Sequence, residues 1–142
     1  MSETNKKKIC VIDFETGNIG SISNLLEKLN INFCISGRSE DIKSSSHLIL
    51  PGVGSFFKAI TKLKDKINLN VLNEEVLEKK KPILGICIGM QIMADIGNEF
   101  GINKGLGWIK GSIDKLDSKG LPLPHIGWNE VSIEKRHNLF FE

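Results

Sequence analysis

The sequence predicts a doubly wound α/β fold with a mostly parallel sheet, and two observations carry that expectation. Four short apolar segments, "ICVIDF" (9–14), "NFCISG" (32–37), "HLILPG" (47–52) and "PILGIC" (82–87), are rich in branched residues and bounded by turn formers. Continuous apolar runs of this length suit strands buried on both faces. Between them the apolar period changes from strand-like to helical. Strands alternating with helices imply parallel pairing through right-handed crossovers.

Taken in order, the strand at 9–14 leads through "DFETGNIGS" to a helix whose Ile22, Leu25, Leu26 and Leu29 share one face. The strand at 32–37 follows, then the one at 47–52, which His47 opens. Phe56, Ile60 and Leu63 mark the next helix, and Leu69, Leu72 and Val76 another. After the fourth strand, Ile88, Ile92 and Ile96 fall four apart and Gly97 offers a stop, which predicts one helix between them. The style then changes: glycines recur and apolar runs shorten. "GWIKGSIDKL" reads as strand, turn, strand, and "LPLPHIGWNEVSIE" (121–134) as a proline-bearing loop entering a further strand. With no linker, repeat or low-complexity tract, residues 1–142 read as a single domain.

Composition narrows the class. Among 142 residues, 40% are hydrophobic and 25% charged, a globular profile. Nineteen basic against 17 acidic residues give a formal charge of +2, without the basic excess of a nucleic-acid binder. The short clusters Lys6–Lys8 and Lys79–Lys81 read as solvated ends of buried strands. The three cysteines, Cys10, Cys34 and Cys87, fit no metal-knuckle spacing, so no metal is expected; no cofactor is expected either. No apolar run reaches membrane-spanning length and the N-terminus has no signal core, which predicts a cytoplasmic protein with free thiols.

In open α/β sheets chemistry collects at the carboxyl ends of the strands. The segment "ILGICIGMQ" (83–91) places Cys87 there, with a glycine two positions to either side. A strand turning abruptly into a helix holds its junction residue out over the sheet edge, and its neighbours must be small because strand and helix pack closely. That is the logic of the nucleophile elbow, here in a cysteine version. The following helix N-terminus favours the thiolate, and the Ile88 N–H is placed to stabilise an oxyanion. Cys10 and Cys34, inside apolar strands, read as small buried hydrophobes. A second element, "LILPGVGSF", ends a strand in Pro-Gly-x-Gly, a loop able to turn an N–H inward.

Together "LILPGVGSF", "PILGICIGMQ" and "GLPLPHIGWNEV" resemble the class I glutamine amidotransferases, and "DFETGNIGSISN" is similar to that family's opening loop. Within it, "LPHIGWN" and "GNI" resemble the glutaminase subunits of imidazole glycerol phosphate synthase. The resemblance implies a flavodoxin-like fold. It implies that Cys87 attacks the carboxamide of glutamine, releasing ammonia and leaving a thioester that water cleaves. It gives the oxyanion to the N–H groups of Ile88 and of the Gly52–Val53 peptide, and the seating of glutamine to Gly52, Gly54 and Gln91. It sets Asn18, His125, Trp128 and Asn129 at the docking face for a (β/α)8-barrel cyclase subunit, a heterodimer that would use the ammonia in histidine biosynthesis. Neither nucleic acid nor membrane is implied as a partner.

The family's late "H-P-E" motif, which completes its triad, does not occur in these 142 residues. His47, His125 and His137 sit elsewhere, so the domain reads as incomplete at its C-terminus and the chain alone as inactive. Two alternatives stay open at this point: a paralogous glutaminase feeding the amidination of a surface sugar, and a truncated remnant that only binds the partner.

Overall fold

The computed structural model describes residues 8–132 and 134. Four parallel strands, β1 (Ile9–Ile12), β2 (Phe33–Ser36), β3 (His47–Leu50) and β4 (Ile83–Gly85), form a sheet in the order β2-β1-β3-β4. This is the order of flavodoxin-like sheets, whose direction of winding reverses between the first strand and the third. Five helices accompany the strands: α1 (Ile19–Lys28), α2 (Ser39–Ser44), α3 (Phe56–Lys66), α4 (Leu69–Asn73) and α5 (Ile88–Gln91), with a π-helical turn at Glu74–Glu78 running on from α4.

Strand side chains alternate between two faces. Cys10, Ile12, Leu48 and Leu50 point into the larger core, with Ile42, Phe56, Ile60, Leu63, Leu72 and Ile92 from the helices. Val11 and Ile49 point the other way, onto Leu26 of α1. The thinner face is less fully covered: Ile35 and Leu84, in register with Val11 and Ile49, are exposed, as are Leu25 and Leu29 of α1. The helix starts follow local chemistry. The Asn18 Oδ1 accepts from the Ser21 N–H at 3.4 Å and caps α1, while the Ser55 hydroxyl accepts from the Lys58 N–H and caps α3.

Two sequence expectations are corrected. The helix expected to run to Gly97 is a single turn, α5, and Ala94–Gly97 is a strand, β5. The carbonyls of Ile92, Met93 and Ala94 are taken by N–H groups of residues 106–109, which stops the helix. Ile96 joins a second sheet, in which β5 pairs antiparallel with β6 (Asn103–Lys104) and parallel with β7 (Ile109–Ile113). "GWIKGSIDKL" holds one strand, β7, with a register shift against β5 where a turn was expected. The strand expected at the end of 121–134 falls partly outside the described residues; 121–132 is exposed and belongs to no helix or strand.

The basic cluster before β4 is not simply solvated. Glu75 is only 2% exposed, and its carboxylate accepts from the Lys79 and Lys81 ammoniums, each at 2.7 Å. Lys81 also donates to the Ile42 carbonyl at 2.6 Å and the Lys43 carbonyl at 2.9 Å. Burial pushes the Glu75 carboxyl up, but the two ammoniums outweigh it and hold it below its usual value. Lys6 and Lys7 lie outside the described residues.

Candidate active site

Cys87 stands two residues after β4 as the N-cap of α5, with φ 55° and ψ −119°. A non-glycine residue at such angles is strained and persists only where its surroundings over-determine it. They do so here. A Cβ on Gly85 would lie 2.6 Å from the Met90 Cα, and one on Gly89 would overlap the Leu50 carbonyl oxygen. The Ile86 N–H donates to that same carbonyl at 3.0 Å, fastening the turn to β3. Cys87 is exposed, while Cys10 is fully buried and Cys34 half-buried. Burial, with Cys34 opposite it in the β1–β2 register, pushes the Cys10 thiol up to about 12.

One helical turn has only a small macrodipole, so the support expected from a long helix behind Cys87 is reduced. What remains is the donors of the turn itself. The Gly89 N–H goes to the Ile86 carbonyl, and those of Met90 and Gln91 go to the Cys87 carbonyl. The Ile88 N–H, at the first helical position, is left with no intrahelical partner.

The Pro-Gly-Val-Gly loop packs directly on this turn: a Cβ on Gly52 would lie 2.7 Å from the Gly89 nitrogen. Its expected donor is differently engaged. The Val53 N–H donates to the Thr16 carbonyl at 2.6 Å, so in this conformation it is not presented to an oxyanion. That bond crosses the crevice between the loops after β1 and β3, the switch point of the sheet. The Thr16 Oγ1 is buried there without a hydrogen-bond partner among the described residues. Gly54, at φ 94°, needs the freedom of glycine.

Beside the turn lies a cavity of about 610 Å³ that Ile88 and Gln91 line from one side. Its other walls include Glu99, Phe100, Asp114 and Lys115, none of them singled out by sequence: Glu99 and Phe100 follow the expected helix stop at Gly97, and Asp114 and Lys115 fall in the expected strand–turn–strand. The Glu99 Oε2 accepts from the Phe56 N–H at 2.7 Å, and the other oxygen has no hydrogen-bond partner among the described residues. The Asp114 carboxyl is held below its usual value by hydrogen bonds from the Ser112 hydroxyl and the Asn98 amide.

The remaining candidates are scattered. Asn18 caps α1, whereas His125 and Asn129 sit 3.5 Å apart on the exposed segment that carries Trp128, which is fully exposed. No hydrogen bond joins Asn18 to that segment among the described residues. His47 pairs through Nδ1 with the Ser46 hydroxyl at 3.0 Å, at the end of the sheet opposite Cys87. His137 lies outside the described residues. No histidine is hydrogen-bonded to Cys87 among those that are described.

Comparison with known proteins supplies the context for this geometry. The family model for glutamine amidotransferase class-I matches residues 10–141. The chain is 40% identical over 135 residues to the imidazole glycerol phosphate synthase subunit HisH 2 of Vibrio vulnificus, covering 94% of this chain and 63% of that protein. It is 43% identical over 134 residues to subunit HisH 1 of Campylobacter jejuni, and 40% identical over 139 residues to subunit HisH of Pelagibacter ubique. Each of the latter two matches covers 93% of this chain and 66% of the relative. The chain thus spans just under two thirds of the length of these relatives.

Proposed function

This chain belongs to the class I glutamine amidotransferases, and from that premise we propose that it is the glutamine-hydrolysing part of an imidazole glycerol phosphate synthase in the cytoplasm. The observation that carries the reading is the strained, exposed Cys87 fenced by two glycines that packing forbids to be larger. An elbow of this kind serves one purpose well: it presents a nucleophile with a backbone N–H beside it.

In this reading the Cys87 sulfur attacks the side-chain carbonyl carbon of glutamine. Negative charge collects on the carbonyl oxygen, where the Ile88 N–H receives it. The Gly52–Val53 peptide adds a second donor once the Val53 N–H leaves the Thr16 carbonyl. The thiol's proton goes to the departing nitrogen as the C–N bond breaks, ammonia leaves, and water cleaves the glutamyl thioester to glutamate. The cavity beside Ile88 suits the amino-acid end of the substrate. Gln91 can hydrogen-bond it, the other Glu99 oxygen and Asp114 suit an α-ammonium, and Lys115 suits an α-carboxylate. Ammonia then passes to a barrel cyclase subunit, with Asn18, His125, Trp128 and Asn129 on the docking side. The names of the relatives, all subunits of this synthase, support that assignment.

Affinity labelling tests the reading without requiring turnover. A chloroketone analogue of L-glutamine should alkylate Cys87 saturably, far faster than chloroacetamide does, and L-glutamine should slow it. Labelling no faster than chloroacetamide and unprotected by L-glutamine overturns the proposal.

A further inference from the structure

Phe100 is 90% exposed, lines the cavity beside Cys87, and has φ 54°. Glycine at φ 110° follows it, so two successive residues at the tip between β5 and β6 are left-handed. Turns of this kind favour Asn-Gly or Gly-Gly, and a bulky aromatic in the first place is an anomaly. It is held there deliberately. The Asn103 Nδ2 donates at 2.9 Å both to the Glu99 carbonyl and to the Gly101 carbonyl, clipping the chain on either side of Phe100. The Glu99 side chain, through its bond to the Phe56 N–H, ties the same tip to the start of α3. A strained, solvent-exposed ring gains nothing in stability from its position. Backbone strain that surrounding bonds maintain points to use of the residue at a site.

We propose that Phe100 is a preset cover for the amino-acid end of the cavity, closing over the α-ammonium of a bound glutamine that Glu99 holds. An ammonium beside a carboxylate is attracted to an aromatic face, and the ring excludes water that would otherwise screen the pair. Asn103 is the positioning residue that fixes the cover before the ligand arrives, so little ordering is left for binding to supply. The inference rests on the glutaminase reading for the identity of the ligand.

Two variants separate the roles. Phe100→Ala removes the ring and keeps a Cβ in the left-handed position, whereas Phe100→Gly removes both. The readout is the L-glutamine concentration that half-protects Cys87 from the chloroketone, beside thermal melting of the same samples. Both variants should need about tenfold more L-glutamine. Only Phe100→Gly should melt higher, by about 3 °C, because it alone relieves the backbone. Reactivity of Cys87 towards iodoacetamide should be unchanged in both. Half-protection at wild-type concentrations in both variants overturns the cover while leaving the glutaminase reading intact. Absence of any protection in the wild-type chain overturns both.

Discussion

The buried carboxylate of Glu75 gives the sharpest test of what holds β4, and therefore Cys87, in place. Lys81 stands two residues before β4, and its ammonium is spent on Glu75 and on the Ile42 and Lys43 carbonyls. Lys81→Met strips all three acceptors. Breaking a buried ion pair from one side costs about 3–5 kcal/mol. Lys79 still neutralises Glu75, but its side chain is 52% exposed, so its bond is screened and compensates only in part. The net expectation is about 3 kcal/mol. Glu75→Gln keeps one acceptor, for Lys81, but loses the charge and turns an amide NH2 towards Lys79, for about 2 kcal/mol. For 142 residues the unfolding entropy is about 0.3 kcal/mol/K, so Lys81→Met should melt about 10 °C lower. The acid limb gives an independent check. The folded carboxyl sits below its ordinary value of 4.5, so the unfolded chain takes up the proton first as pH falls. The stabilisation is complete above that value and is lost towards the folded one. Between pH 5 and pH 3, a range set by that ordinary value, wild type should lose more stability than Glu75→Gln does. Urea unfolding followed by circular dichroism at each pH measures both effects. A Lys81→Met cost below about 1 kcal/mol, or parallel acid limbs, would refute the account.

Other expectations follow from the same geometry. Gly89→Ala drives a methyl into the Leu50 carbonyl and should cost more than about 4 kcal/mol, whereas Gly20→Ala, in α1 with open space at its Cβ, should add about 0.5–1 kcal/mol, both read by thermal melting. Brief iodoacetamide treatment and peptide mapping should show Cys87 labelled well before Cys34 and Cys10; equal labelling of Cys10 in folded protein removes the elbow argument. Trp128→Ala should leave the melting temperature of the chain unchanged, because the ring packs on nothing among the described residues, and, as part of the proposed docking side, should weaken binding to a barrel cyclase subunit by about 2 kcal/mol, measured by calorimetry.

The four parallel strands were legible because each is a continuous apolar run between turn residues, a pattern that depends on local sequence alone. Gly85, Cys87 and Gly89 were legible for the same reason: one short stretch encodes both the turn and its packing. The misread helix after Cys87 shows where local reasoning ends. Spacing of Ile88, Ile92 and Ile96 suits a helix, but the carbonyls that would continue it are claimed by residues 106–109, a long-range competition that periodicity does not register. Glu99 and Phe100 escaped notice with it. The Lys79–Lys81 run looked solvated because nothing local indicates that Glu75 is buried beneath it. Nor does sequence reveal that a neighbouring loop's carbonyl occupies the Val53 amide.

The order of the strands along the chain has a consequence for synthesis. The central strand β1 and both its neighbours are complete by Leu50, while β4 begins 33 residues later. At translation rates of about 5–20 residues per second, that gap lasts roughly 2–7 s. A three-stranded sheet can therefore pair while Cys87 is still unmade, and β4 arrives as an addition to a finished edge. During those seconds the open side of β3 offers unpaired amides between apolar residues, the kind of edge that recruits a neighbouring chain. Lesions that delay β4, at Lys81 above all, should therefore appear first as lower soluble yield from the ribosome and only afterwards as altered chemistry at Cys87.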